Sequence, residues 1–386
     1  MGQTRRTDGC CCGRTPGTRP LFGAAGDPTP AERDTESRQE GPHDGPESVT
    51  VSGREIPRVD TALTRADRTG AWKARWGIGR MHYGVESGLY AVGRPTPDSP
   101  VLVSANYKMS FDRLRSAIEG IDAWILVLDT KGINVWCAAG KGTFGTDELV
   151  RRICAVSLAD AVSHRTVIVP QLGAPGVSAH EVRKRSGFRV VYGPVRAGDV
   201  PAFLEAGMEA TPSMRRVEFP LRDRLAVVPV ELVLGAKYAL VIMVALFVLA
   251  GLGPDGYSLG RATASGTASA LLFLAAFVAG TVLTPALLPW LPGRALSLKG
   301  AWIGIVMLFA LGGCVMSAQG AVPGGVSAAG WCLLIPAMTS FVGMNFTGAT
   351  TYTSLSGVRR EMRLAVPIQA VAAVLGAVLW LIGRFV

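Results

Sequence analysis

The chain has 386 residues, 49% hydrophobic and 18% charged, with seven cysteines and a net charge of +10. That length allows two or three domains, and apolar residues so dominate the last third that a single soluble globule is excluded. The basic excess is spread along the chain and lies partly beside apolar runs, with no arginine stripe interleaved with aromatics, so nucleic acid is not an expected partner.

Residues 1–60 are rich in Gly, Pro, Arg, Asp, Glu and Ser. Their scattered apolar groups are too few to offset the entropy of ordering the chain, and a disordered tail is expected. Arg5-Arg6 is followed by no apolar stretch, and Arg6 stands where a Met1-Gly2 myristoylation start needs Ser or Thr. Cys10, Cys11 and Cys12 are contiguous and read as an unstructured reactive patch. With Cys137 and Cys154 isolated and Cys314 and Cys332 in apolar runs, no disulfide framework, zinc site or iron–sulfur spacing emerges, and a reducing compartment follows.

Residues 70–225 mix apolar and charged groups as a soluble α/β domain does. Short apolar runs at Val101–Val103, Ala123–Leu128, Thr166–Val169 and Arg189–Tyr192 read as strands separated by helix-length amphipathic stretches. Ser178 and Glu181 read as a capping box. Repeated βα units imply a mostly parallel, Rossmann-like sheet with helices on both faces. Ligands collect outside the carboxyl ends of such strands. The segments to inspect are therefore Ser104–Lys108, Asp129–Asn134, Gln171–Gly176 and Gly193–Arg196. No G-x-G-x-x-G follows the first strand and there is no G-x-x-x-x-G-K-[ST], so neither a dinucleotide nor a nucleoside triphosphate is expected.

Within the second segment Asn134 can cap a short helix through Val135, Trp136, Cys137, Ala138 and Ala139 that closes at Gly140. Cys137 then sits in the first turn, where free backbone amides stabilise a thiolate, with Lys141 adding positive potential. Such a thiolate is equipped as a nucleophile or a soft metal ligand. A buried structural thiol fits the same residues equally well, and Trp136 fits a helix–sheet interface.

Residues 231–386 are expected to form a transmembrane bundle with five spans, near 232–252, 267–291, 300–318, 328–347 and 364–383. With a cytoplasmic N-terminus, the inner segments carry Arg215, Arg216, Arg222, Arg224, Arg294, Lys299, Arg359, Arg360 and Arg363, against Arg261 and Arg384 outside. That asymmetry places the α/β domain in the cytoplasm and the C-terminus outside a multi-pass inner-membrane protein. The run from Asn345 to Gly357, rich in hydroxyls and small residues, reads as close helix packing or as a polar cavity at the inner end of the bundle.

The run Asn134-Val135-Trp136-Cys137-Ala138-Ala139-Gly140-Lys141 resembles the cap-helix motif of the mercury-methylating corrinoid proteins. The resemblance extends through Ala105–Lys108, Asp129–Ile133, Gly142–Thr146, Pro170–Gly176 and Tyr192–Arg196, with Ser104 where that family carries Thr. The same region is similar to the corrinoid domain of the corrinoid iron–sulfur protein of acetyl-CoA synthesis, which lacks the cap-helix cysteine. The resemblance implies a cobalamin-type corrinoid, with Cys137 as catalytic residue and lower axial cobalt ligand. It implies that the cofactor is held by Ser104, Asn106, Thr130, the run Asn134 to Lys141, Gln171 and Gly173. It further implies a methyltransferase that passes a methyl group from methyl-Co(III) corrinoid to Hg(II). Its partners would be a ferredoxin-like protein with two four-iron clusters, and a methyl donor such as methyl-folate or a methyl-corrinoid protein. Two alternatives stay open. One is a methyl-corrinoid carrier with a different acceptor; the other is a non-enzymatic membrane thiol or metal-binding protein using Cys137, Cys314 and Cys332.

Overall fold

A computed structural model describes residues 48–51, 53–317, 325–346 and 355–386. Cys10, Cys11 and Cys12, and residues 347–354 of the hydroxyl-rich run, lie outside the described residues. The chain divides into two compact units, one of residues up to Arg68 with Met81–Arg216, the other of Thr69–Arg80 with Val217–Val386.

The first unit is built on strands β1 (Ser48–Val51), β2 (Arg54–Val59), β3 (Leu89–Val92), β4 (Val101–Ala105), β5 (Ala123–Leu128), β6 (Thr166–Val169) and β7 (Arg189–Tyr192), in the order β1-β2-β3-β5-β4-β6-β7. The four expected strands form the parallel half β5-β4-β6-β7. The other half is mixed: β2 runs parallel to β3, β3 antiparallel to β5, and β1 and β2 form an antiparallel hairpin, so the sheet is mostly parallel, as expected. That hairpin occupies residues assigned by composition to the tail. Only Val49, Val51, Ile56 and Val59 are apolar in it, yet their alternation suffices at a sheet edge: Ile56 joins the core, and Val49 and Val51 pack against it.

The parallel strands are continuous apolar runs because both faces are buried. On one face Val101, Val103, Trp124, Leu126 and Val169 pack with Ala138, Phe144, Leu149, Ile153, Val182 and Phe188. These belong to, or adjoin, helices α3 (Val135–Lys141), α4 (Thr146–Ala155), α5 (Leu158–Ala161) and α6 (Ala179–Ser186). On the other, Leu102, Ile125, Val127 and Ile168 meet Phe111, Leu114 and Phe203 of α2 (Lys108–Ala117) and α7 (Val200–Glu205). Helix α1 (Arg65–Arg75) precedes them in the chain. Its first turn is pinned by an ionic network in which Asp67 pairs with Lys108 at 2.6 Å and Arg115 at 2.8 Å, and Asp112 pairs with the same two cations.

Burial would raise the Asp67 carboxyl; hydrogen bonds from Lys108, Thr64 and Arg115 outweigh it and hold the group well below the usual carboxylate range. The capping box expected at Ser178 does not form: its hydroxyl makes no cap bond, while its backbone N–H donates to Thr146 Oγ1 at 2.9 Å.

The second unit contains α8 (Leu221–Leu225), α9 (Val228–Leu249), α10 (Leu259–Arg261), α11 (Thr267–Ala286), α12 (Leu296–Ser317), α13 (Gly325–Asn345) and α14 (Leu355–Ile382), with a π-helical turn at Ala262–Gly266. Among the described residues four helical stretches are long and apolar enough to cross a membrane: Leu221–Leu249, Leu259–Ala286, Gly325–Asn345 and Gly357–Ile382. Four of the five expected spans fall on these stretches. The remaining expected span, 300–318, falls on α12, whose apolar stretch Leu296–Gly312 is shorter. Small residues bring these helices together, as is usual in lipid: a Cβ on Gly330 would lie 2.7 Å from the Gly376 carbonyl oxygen, and one on Gly343 would lie 2.9 Å from Gly300 Cα.

Candidate functional site

Four loops leave the carboxyl ends of the parallel strands, and hydrogen bonds draw them into one rim. After β4, the Asn106 side-chain oxygen accepts from Thr130 N–H at 3.1 Å, Thr130 Oγ1 at 2.8 Å and Gly132 N–H at 3.0 Å in the loop after β5. Beyond α3, Thr146 N–H donates to Gly176 O at 3.1 Å, closing that segment onto the loop after β6. The loop after β7 joins through Gln171 N–H donating to Pro194 O at 3.3 Å.

Helix α3 stands on this rim. Asn134, in extended backbone, accepts Cys137 N–H on its side chain at 2.9 Å, the N-cap that the sequence implies. The other end corrects the expectation. The helix runs through Gly140 to Lys141 and closes at Gly142, whose φ of 80° requires glycine. Gly142 N–H donates to Ala139 O at 3.3 Å and Thr143 N–H to Ala138 O at 3.0 Å, the paired bonds of a Schellman stop. Ala138 and Ala139 are buried and Val135 packs on the core, while Trp136 and Cys137 are half-exposed and Lys141 is exposed. Trp136 is among neither the buried residues nor the partly buried hydrophobics of the unit's two core clusters.

The expected site residues therefore divide. Trp136, Cys137, Gly140, Lys141 and Gln171 remain accessible to a ligand, and Gln171 also accepts from Arg215 at 3.3 Å. Ser104 and Thr130 are buried, and Asn106 is committed to the loop. Gly173 is buried for a packing reason: a Cβ there would overlap the buried Phe144 ring. Lys108 does not face the rim but joins the ionic network on α1 and α2.

Other contributors escaped the sequence reading. Glu148 accepts Asp129 N–H at 2.8 Å and is itself held by Arg151 and Arg152, so the first turn of α4 anchors the loop. The Lys131 ammonium beside Asp129 holds its carboxyl below the usual range. Val85 N–H donates to Asn106 O at 2.8 Å, bringing the segment before β3 to the same edge. Among the described residues no group of three or more His, Cys, Asp or Glu side chains could hold a metal ion. The rim can thus offer one soft sulfur donor on a capped helix that also carries an indole.

Residues 79–204 match the family described as CO dehydrogenase/acetyl-CoA synthase delta subunit. The acetyl-CoA decarbonylase/synthase complex subunit gamma of Methanosarcina acetivorans is 35% identical over 130 residues, which are 33% of this chain and 27% of that protein. The corresponding subunits of Methanopyrus kandleri and Archaeoglobus fulgidus are 32% and 31% identical over 123 residues, 31% of this chain and 26% of each relative. The chain therefore spans little more than a quarter of the length of these relatives. The family match covers the sheet from the segment before β3 to α7, and so includes α3 and the whole rim.

Proposed function

We propose that the chain is a membrane-bound corrinoid-dependent methyltransferase whose acceptor is Hg(II), with Cys137 as the lower axial ligand of cobalt. The observation that carries this reading is the presentation of Cys137: half-exposed, in the first turn of a helix capped by Asn134 and buried along Ala138 and Ala139. The donor set fits the group. A corrinoid brings its own equatorial nitrogens and asks the protein for one axial donor, whereas an ion held by protein alone needs a cluster that the described residues lack. The similarity to acetyl-CoA synthase and decarbonylase subunits over this region supports a corrinoid ligand.

When bound, a corrinoid would supply the cobalt-borne methyl group that a soft electrophile such as Hg(II) accepts, with Cys137 as the protein's donor to it. The chain's part is to place the donor. Asn134 fixes the first turn, and half-exposed Trp136 offers an apolar ring on the same helix. Lys141 and Gln171 supply polar contacts at the rim. Ser104, Asn106, Thr130, Ala138, Ala139 and Gly173 act through position, since their side chains or Cα atoms are buried or committed.

Electrons and methyl groups are assigned to other chains: a ferredoxin-like protein with two four-iron clusters, and a methyl-folate or methyl-corrinoid donor. That the relatives are named as subunits of a complex supports this division. The bundle is read as five spans, α12 being the third, with the α/β unit cytoplasmic and the C-terminus outside. The same relatives favour a second reading, a methyl-corrinoid carrier with a different acceptor.

The test is Cys137→Ala in the full-length protein loaded with corrinoid. The visible spectrum is expected to move towards a water-bound or five-coordinate form, and methylmercury production to fall to background. An unchanged spectrum and unchanged methylation at matched protein levels would refute the assignment. A spectral shift in the variant, with no methylmercury from the parent, would select the carrier reading.

A further inference from the structure

The second half of α1 belongs with the membrane-spanning unit rather than with the sheet. Buried Ala74 marks its inner side. At 100° per residue, Trp72 and Trp76 lie on the opposite side, flanked by Lys73 and Arg75. Trp72 is 58% exposed, and its ring lies 5.9 Å from that of Trp76, so the two indoles form one apolar strip.

The helix ends in a Schellman stop at Gly77, with φ of 77°. Ile78 N–H donates to Lys73 O at 2.9 Å and Gly77 N–H to Ala74 O at 3.2 Å. The residue after such a glycine ordinarily packs back on its own helix. Here Ile78 is 58% exposed, extending the strip beyond the helix, and Arg80 follows.

Tryptophan beside lysine and arginine is the composition of a membrane–water interface: indoles settle at headgroup depth while cationic heads reach the phosphates. The strip is also continuous with the bundle, since a Cβ on Gly77 would lie 3.7 Å from Val233 Cγ1 in the first spanning stretch.

We infer that Trp72–Arg80 is an interfacial anchor that seats Trp72, Trp76 and Ile78 among lipid headgroups and selects anionic ones through Lys73, Arg75 and Arg80. This rests on the reading of the bundle as membrane-spanning. The occupant is a lipid surface rather than another protein because apolar strip, cationic flanks and adjacent span together match one environment, whose surface potential rewards each basic residue.

The test uses the full-length protein in nanodiscs of phosphatidylcholine and phosphatidylglycerol, with a benzophenone amino acid placed singly at Trp72, at Ile78, at Leu240, which is exposed on the first spanning stretch, or at exposed Lys184 on α6. After irradiation, mass spectrometry reads lipid adducts. Adducts are expected at 72, 78 and 240 but not at 184. Phosphatidylglycerol should be enriched several-fold over its mole fraction at 72 and 78, falling to parity in Lys73→Gln/Arg75→Gln/Arg80→Gln. Adducts at 240 without adducts at 72 and 78 overturn the anchor, as do cross-links to a second protein copy or adducts with no headgroup preference. Loss of the adduct at 240 overturns the membrane-spanning reading instead.

Discussion

Replacing Asn106 with Ala tests whether the site is set by the loop beneath α3. The substitution removes the oxygen that accepts from Thr130 N–H, Thr130 Oγ1 and Gly132 N–H. The Thr130 hydroxyl keeps Ile133 O at 2.6 Å as a partner, and half-exposed Gly132 can turn to water. Thr130 N–H is left in a fully buried residue, and an orphaned buried donor costs about 1–3 kcal/mol, with about 1 kcal/mol more for the second lost bond. Lys131, at φ 60°, is a non-glycine residue in the left-handed region, so the released loop also has strain to shed. Local opening should become easier by roughly 2–4 kcal/mol, or about 30- to 1000-fold in amide exchange over residues 130–137. Hydrogen exchange by mass spectrometry on the full-length protein reads this directly. Asn106→Asp keeps the acceptor but loses the N–H that Asn106 donates to Asp129 Oδ1 at 3.3 Å and sets two carboxylates together, so it should recover only part of the protection. Exchange within threefold of the parent in Asn106→Ala would mean that Asn106 does not hold the loop.

Gly173→Ala forces a methyl group into the Phe144 ring and should lower stability by about 1–3 kcal/mol as overpacking does, raising exchange across α3 while leaving α2 and α7 unchanged. The Asp67 network predicts an acid limb: a carboxyl whose folded pKa is depressed contributes stability above its unfolded value of about 4 and loses it as pH falls towards the folded value. Unfolding midpoints should therefore drop below about pH 4 in the parent, while Asp67→Asn is weaker at neutral pH and flatter on acidification. A reporter fused after Val386 that works only outside the cytoplasm should be active; one active only inside would overturn the proposed sidedness.

What the sequence reveals follows from burial. Strands β4 to β6 are visible because both faces are covered, leaving runs such as Ala123–Leu128 with no polar residue. The β1–β2 hairpin shows little because an edge needs only alternate apolar residues, and its neighbours look like tail. The start of α3 is legible since an asparagine cap is a local device. Its end is not: Gly140 and Gly142 both fit a stop, and the choice depends on bonds to Ala138 and Ala139 that only the folded turn reveals. Asn106 illustrates the same limit. An amide at a strand's carboxyl end reads as a ligand contact, yet the loop opposite supplies three donors that consume its oxygen.

Those details bear on how a lone cysteine sulfur could serve transfer chemistry. As the proposed cobalt ligand, Cys137 would have to hold its place through turnover, and a seven-residue helix has too little intrinsic stability for that. Helix α3 is fixed by independent devices instead: the Asn134 cap, the glycine stop, the buried alanines, and backbone packing in which a Cβ on Gly176 would lie 3.2 Å from Ala139 Cα. Each acts on backbone or on the buried face, and none uses the Cys137 side chain, so the sulfur can be coordinated or released without disturbing its support. That separation of support from donor is what preorganisation requires. It is also why Cys137→Ala should remove the ligand and keep the fold, whereas substitutions at Asn134, Gly142 or Gly176 should displace a sulfur that is still present.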